Sequence, residues 1–170
     1  MTTRTRTTTM ISRINHRSNF GPIVGYALKT AKRPEIVGTA LCATDTLGII
    51  RGFEGLSRLN TRCKLPVAHL VLSLARGEHL SAAQWAEVCA CVAKEFGAVQ
   101  WVAAKHNDTD CEHVHLIMSR VRPDRKTWST SNERLRMRTL SAVRSPLRRR
   151  RAESFSTPFG PRLEEWCWLA

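Results

Sequence analysis

The chain has 170 residues, of which 42% are hydrophobic, and this size and composition are typical of one globular domain with a proper core. No apolar run approaches the roughly 20 residues that a membrane span needs, and no apolar segment of the secretory type follows the Thr- and Arg-rich start. The net charge of +13 favours a polyanionic partner, with nucleic acid ahead of an acidic membrane face.

Hydrophobic periodicity and turn residues predict strands and helices that alternate along the chain. The predicted strands cover residues 11–15, 36–42, 67–74, 99–104 and 113–121. The predicted helices cover residues 20–29, 49–59 and 133–141. A further helix is predicted between a Ser81–Gln84 capping box and Gly97, which stops it. We therefore expect an α+β fold with a central antiparallel β-sheet and flanking helices.

The same pattern divides the chain into three parts. Residues 1–9 are predicted to be a disordered leader, residues 10–141 the functional domain, and residues 142–170 a basic tail. Six cysteines without a Cys-x-x-Cys pair do not form a disulfide framework, which favours a reducing cytoplasm.

The basic residues are concentrated in two arms around a near-neutral middle. Residues 1–33 hold seven lysines and arginines and no acid, and residues 120–151 hold twelve against two acids. This distribution is typical of a nucleic-acid-binding protein. The basic candidates for nucleic-acid contacts are Arg13, Arg17, Lys29, Arg120, Arg122, Arg125 and Lys126. Trp128, in a polar basic loop, is a candidate for stacking on a base of a single strand.

Three histidines stand close together in residues 106–115, which read HNDTDCEHVH. Side chains alternate along a strand, so His113 and His115 share a face about 7 Å apart. The loop between the last two strands would return His106 beside them, and its placement is expected to depend on that loop. Three neutral imidazoles leave open positions on a divalent cation, which is what phosphodiester chemistry requires.

The residues around this cluster leave alternatives open. Asp108 and Asp110 are candidates either to hold the free ring N–H groups or to supply an oxygen ligand. A structural zinc site of Cys111, His113 and His115 is less favoured because a second thiolate is lacking nearby.

Tyr26 is the only tyrosine of the chain. By composition it would be an ordinary half-buried aromatic residue. A phenolate beside a metal-polarised phosphate, however, can attack phosphorus and form a covalent intermediate.

Three segments resemble the motifs of plasmid relaxases, the mobilization nucleases of the HUH superfamily. The segment KHNDTDCEHVHLIMSRVR at residues 105–122 resembles their third motif, and FGPIVGYALK around Tyr26 resembles their first. HLVLSLARGE at residues 69–78 resembles their intermediate motif. The resemblance as a whole covers about residues 10–140, and the motifs occur in the family's order. Relaxases usually carry a longer C-terminal region than this chain.

The resemblance implies a metal-dependent, site- and strand-specific DNA nuclease with a relaxase-like palm. Tyr26 would attack the scissile phosphate of plasmid DNA at the transfer origin, leaving a 5′-phosphotyrosyl adduct and a free 3′-hydroxyl. His106, His113 and His115 would bind the divalent metal, Mg²⁺ or Mn²⁺, with Zn²⁺ or Ni²⁺ also possible. Asp108 is the first candidate for the base that deprotonates Tyr26, and Glu78 the second.

The implied partners are single-stranded or supercoiled plasmid DNA, accessory relaxosome proteins and a coupling protein in the bacterial cytoplasm, with no membrane. Two alternatives remain. A rolling-circle replication initiator is less favoured because those proteins usually place the histidine pair before the tyrosine. A non-catalytic basic accessory protein that binds nucleic acid is the alternative outside enzymes.

Overall fold

The computed structural model describes residues 10–133 together with residues 136 and 137, which form a five-stranded antiparallel sheet flanked by three α-helices. The sheet has the strand order β1-β3-β5-β4-β2. This confirms the predicted α+β class. The elements in chain order are β1 (Ile11–Arg17), α1 (Phe20–Ala27), β2 (Glu35–Thr39), α2 (Thr46–Ser57), β3 (Val67–Ser73), α3 (Ala82–Phe96), β4 (Trp101–His106) and β5 (His113–Ser119).

The pleat of the sheet sends alternate side chains into two separate cores. On one face, Leu70, Leu116 and their neighbours pack against Trp85 and Phe96 of α3. On the other face, apolar residues of β3, β4 and β5 pack against α1 and α2. That second core contains Phe20, Val24, Ala27, Ile49, Phe53, Val67, Val102, Ala104 and Ile117.

Helices α1 and α2 begin at polar caps and are joined by an aromatic stack. The side chain of Asn19 accepts from Gly21 N at 2.9 Å, and that of Asp45 accepts from Gly48 N at 2.9 Å. The rings of Phe20 and Phe53 stack with their centroids 4.6 Å apart. This contact fixes α1, and hence its last residues, against α2.

Helix α3 has the predicted ends. Ser81 and Gln84 form the capping box, and Gly97 ends the helix with φ of 68° in the left-handed region that favours glycine. The indole N–H of Trp85 donates to the carboxylate of Glu112, which also accepts from Leu80 N at 3.1 Å. The residue just before β5 is thereby tied to α3.

Several boundaries differ from the prediction for local reasons. Strand β2 ends at Thr39 because Leu41 N donates to the Thr39 hydroxyl, which turns the chain off the sheet. Helix α1 ends at Ala27 and is followed by a 3₁₀ turn, Thr30–Lys32, whereas α2 begins earlier, at Thr46. Strand β4 lies two residues later than predicted and includes His106.

Some predictions fall at or beyond the limits of the described residues. The predicted leader, residues 1–9, and the predicted tail, residues 142–170, lie outside them. Of the predicted helix at residues 133–141, Glu133, Arg136 and Met137 are helical and the rest lies outside. In the described part, Cys63, Cys89, Cys91 and Cys111 are free cysteines, and no helix there is long and apolar enough to cross a bilayer.

We expect Phe53→Ala to lower the free energy of unfolding by about 3–5 kcal/mol, because it empties a fully buried site and removes the stack with Phe20. Leu47→Ala in the same helix is the matched control. Leu47 is 64% exposed, so its loss should change stability by about 0.5 kcal/mol or less. Urea denaturation of both variants checks this, and equal losses would contradict it.

Candidate active site

The register of two strands brings the three histidines together. Strands β4 and β5 pair antiparallel with His106 directly opposite His113, and His115 lies opposite Ala104. The ring centroids are 5.3 Å apart for His106–His113, 5.3 Å for His113–His115 and 4.3 Å for His106–His115. The expectation that His106 depends on loop geometry is therefore wrong, because strand pairing positions it.

Each imidazole has one ring nitrogen hydrogen-bonded away from the centre of the cluster. His106 Nε2 donates to Ala27 O at 2.8 Å, and His113 Nδ1 donates to Cys111 O at 3.0 Å. A carbonyl oxygen can only accept, so in the neutral rings the other nitrogen carries the lone pair. His115 Nδ1 lies 2.8 Å from Nε2 of His69, a residue of β3.

The remaining nitrogens form a set suited to a metal ion. One ligand atom from each of His106, His113 and His115 lies within 4.8 Å of the others. His106 Nδ1 and His115 Nε2 are buried without a hydrogen-bond partner in the described part of the chain. Buried polar atoms rarely stay unpaired, and three imidazole lone pairs are a donor set that binds divalent transition metals. The residues present therefore fit such an ion.

Burial lowers the pKa of three histidines at the site, His69, His106 and His115. Desolvation, followed by the neighbouring histidines, lowers the pKa of His115 to about 3. Desolvation lowers the pKa of His69 to about 4, with contributions from Arg17 and His106. Burial also lowers the pKa of His106. At neutral pH the rings of His69, His106 and His115 are therefore uncharged.

The two aspartates of the loop differ in their surroundings. Asp108 Oδ2 accepts from Lys32 Nζ at 2.6 Å, and its Oδ1 lies 3.9 Å from His113 Nε2. The hydrogen bond from Lys32 lowers the pKa of Asp108, so this carboxylate is a weak base. Asp110 instead pairs with Arg76 at 2.7 Å, at a site where both side chains are exposed.

The alternative residues named from sequence do not join the cluster. Cys111 provides its carbonyl oxygen to His113, and the ligand set in the described residues contains His106 in place of its thiol. Glu78 lies in the turn after β3, where its backbone N–H donates to Ala75 O at 3.0 Å.

Tyr26 lies at the C-terminal end of α1, next to the carbonyl that binds His106. Its ring approaches that of His115 edge-on at 5.4 Å between centroids, and the His106 ring lies at 6.0 Å. The side of α1 opposite Val24 and Ala27 faces away from the core, so Tyr26 is 46% exposed. The structure thus places an accessible phenol beside the three-histidine cluster.

Two residues at the site were not assigned a role from sequence. In the sequence, His69 was only a member of the intermediate motif. In the structure it shares a face of β3 with Val71 and Ser73, which lie opposite His115 and His113. Lys32 lies with its ammonium nitrogen 5.6 Å from the centroid of the Tyr26 ring. No spacing in the sequence indicates this contact.

The candidate nucleic-acid contacts fall into different environments. Arg13 is exposed on β1 opposite Val71, which is itself opposite His115, so Arg13 shares the cluster's face about 10 Å away. Arg17 is exposed farther along the same strand, and Lys29 is exposed after α1.

The remaining candidates follow β5 at the end of the sheet away from the cluster. Arg120 donates to the carbonyls of Leu65 and Trp128, and Arg122 pairs with Asp124 at 2.6 Å. Arg125 and Lys126 are exposed.

Trp128 requires a correction. Its side chain is 6% exposed and packs edge-on against Phe96, with the ring centroids 4.6 Å apart. A ring enclosed in the α3 core has no open face for a base, so the predicted stacking role is inconsistent with the structure.

Comparison with known proteins agrees with this geometry. A family model described as relaxase, MobA/VirD2-like, nuclease domain, matches residues 26–143. The chain belongs to this relaxase family. The matched range of the relaxase model includes Tyr26 and the three histidines. Protein TraI of Escherichia coli is 38% identical over 118 residues, which cover 65% of this chain and 16% of TraI. No solved structure matches the chain.

We expect His69→Phe to weaken Mn²⁺ or Co²⁺ binding by about 10–100-fold, because it removes the ring nitrogen that can accept from His115 Nδ1 and so leave Nε2 free. His69→Gln is the matched control, since its amide oxygen can accept the same hydrogen bond and should restore most of the affinity. Competition titrations measure the affinity. The ¹⁵N shifts of His115 in metal-free protein report its tautomer, and an unchanged tautomer in His69→Phe would contradict this role.

Proposed function

We propose that this relaxase domain nicks one strand of plasmid DNA at a transfer origin, with the Tyr26 hydroxyl as the nucleophile. The observation that carries the proposal is the exposed Tyr26 ring 5.4 Å from the ring of His115, whose Nε2 is buried and unpartnered within the described residues. The proposed nucleophile therefore lies directly beside the proposed metal ligands. Together they suit attack on a phosphodiester.

The residues divide the chemistry among themselves. His106, His113 and His115 would hold the divalent metal, which when bound withdraws charge from the non-bridging oxygens of the scissile phosphate. The C-terminal end of α1 would present Tyr26 to the phosphorus, and in-line attack requires the departing 3′ oxygen on the opposite side. Mg²⁺ and Mn²⁺ are the proposed ions, and the imidazole set also accepts Zn²⁺ or Ni²⁺.

In the step itself, Tyr26 Oη forms a bond to phosphorus as the bond from phosphorus to the 3′ oxygen breaks. Because Tyr26 is exposed, its proton can pass directly to solvent, and the 3′ oxygen takes a proton from solvent. The products are a 5′-phosphotyrosyl diester and a 3′-hydroxyl. One diester replaces another, so the reaction can reverse and rejoin the strand.

The proposed partners follow from the same assignment. Single-stranded or supercoiled DNA would lie across the cluster's face of β1, where Arg13 and Arg17 are exposed. Accessory proteins of the transfer origin and a coupling protein are further proposed partners, in a bacterial cytoplasm. We also propose residues 10–141 as the nuclease domain.

We expect Tyr26→Phe to abolish a covalent protein–DNA adduct that the unaltered chain forms with an origin oligonucleotide and Mn²⁺. The variant lacks the attacking oxygen but keeps the ring beside His115. Denaturing gel electrophoresis of a 3′-labelled strand detects the adduct, and a 5′-labelled strand detects the released fragment that ends in a 3′-hydroxyl. Binding of the uncut oligonucleotide, measured by fluorescence anisotropy, should change little.

Three outcomes would overturn the proposal. Tight binding without an adduct on any origin strand would favour the non-catalytic accessory protein. An adduct that persists in Tyr26→Phe would place the covalent bond on another side chain. Cleavage at a replication origin in preference to a transfer origin would favour the rolling-circle initiator.

We expect Arg13→Ala to weaken DNA binding for all sequences and to reduce the slope of log affinity against log salt by about 1, because one phosphate contact is lost. Lys94→Ala on α3 is the matched control, because this exposed lysine belongs to the helix on the opposite face. Anisotropy titrations over a range of salt give both slopes. Equal slopes for the two variants would contradict a DNA path over β1.

A further inference from the structure

The ammonium group of Lys32 lies close to Tyr26 and to Asp108, a neighbour of the histidine cluster. Its Nζ is 5.6 Å from the centroid of the Tyr26 ring and 2.6 Å from Asp108 Oδ2. The other oxygen of Asp108 lies 3.9 Å from His113 Nε2. The positive charge of Lys32 therefore lies near both the Tyr26 phenol and the Asp108 carboxylate, which adjoins the histidine cluster.

The position of Lys32 is fixed by the loop that follows β4. Lys32 belongs to the 3₁₀ turn Thr30–Lys32, and its carbonyl accepts from Asn107 N at 3.5 Å. The Asn107 side chain also donates to Arg33 O at 3.3 Å. With its side chain 31% exposed, Lys32 is anchored at the backbone and still open to a substrate.

The ammonium is charged at neutral pH and cannot receive the phenol proton. The hydrogen bond to Asp108 raises the pKa of Lys32, and the nearby Tyr26 side chain contributes in the same direction. A fixed cation beside an oxygen that gains negative charge lowers the barrier, because its stabilisation is strongest in the transition state.

We propose that Lys32 is a further catalytic residue, whose ammonium contacts the attacking Tyr26 oxygen and stabilises its negative charge. This rests on the proposed nicking reaction. Tyr26 Oη bonds to phosphorus, the bond from phosphorus to the 3′ oxygen breaks, and both proton movements involve solvent. Lys32 keeps its proton throughout. In the reverse reaction it stabilises the departing phenolate.

The test compares Lys32→Met, which keeps the stem and removes the charge, with Lys32→Arg, which keeps the charge. Single-turnover adduct formation at saturating origin oligonucleotide and Mn²⁺ separates the chemical step from binding. We expect Lys32→Met to lower the rate by about 10²–10³-fold, the loss typical of one transition-state donor. Lys32→Arg should recover most of it. The DNA affinity of Lys32→Met should fall by less than about tenfold, because the variant loses only one positive charge near the DNA phosphates.

Lys94→Met is the matched control for removal of a lysine charge, because Lys94 is exposed on α3 across the sheet. Its rate should equal that of the unaltered chain. A Lys32→Met variant that loses affinity but keeps its rate at saturation would show a lysine that only binds DNA, and would overturn the proposal.

A substrate with sulfur in place of the scissile 3′ oxygen identifies which oxygen Lys32 serves. A thiolate is a good leaving group that needs no stabilisation by a positive charge. Removing a residue that acts on the leaving group would therefore have little effect with this substrate. We expect the Lys32→Met defect to persist, because Lys32 acts on the nucleophile. Disappearance of the defect would overturn the proposal.

The two levels of failure are distinguishable. An adduct formed equally well by the unaltered chain and by Lys32→Met overturns the role of Lys32 alone. The lack of an adduct with the unaltered chain overturns the nicking reaction and the role of Lys32 with it.

Discussion

The hydrogen bond from His106 Nε2 to the carbonyl oxygen of Ala27 joins the two halves of the candidate active site. It spans 2.8 Å between a histidine that is 1% exposed and the last residue of α1. Losing one partner of a buried pair costs about 1–3 kcal/mol, so α1 is strongly held to the sheet at this point. The same bond leaves His106 Nδ1 free and fixes Tyr26 one residue away. The position of Tyr26 and the positions of the three imidazoles are therefore not independent.

Both faces of the sheet carry a hydrophobic core, but the candidate site lies on one of them. Helix α3 seals one face with Trp85 and Phe96, and Trp128 completes that core. On the other face α1 and α2 cover only part of the strands, which leaves Arg13 and Arg17 exposed beside the histidines. A substrate can therefore approach the cluster along β1 without disturbing either core.

Features that depend on local pattern could be predicted from the sequence. The alternation of His113 and His115 and the ends of α3 follow from spacing and capping chemistry, which neighbouring residues decide. Lys32 could not be placed, because its contact with Asp108 joins residues 76 positions apart. Trp128 was misjudged for the same kind of reason. Its own loop is polar and basic, but a tertiary contact with Phe96 determines its burial.

The single hairpin that carries His106, His113 and His115 has a consequence for the order of folding. Strands β4 and β5 are joined by a six-residue loop, so the three rings can meet through local contacts that close quickly. Their outer partners, Ala27 and His69, come from distant segments that must find the hairpin later. We expect the β4–β5 hairpin to bring the three imidazoles together early in folding, before the tautomers of their rings are fixed. Only the docking of α1 and β3 would then fix the orientation of the His106 and His115 rings.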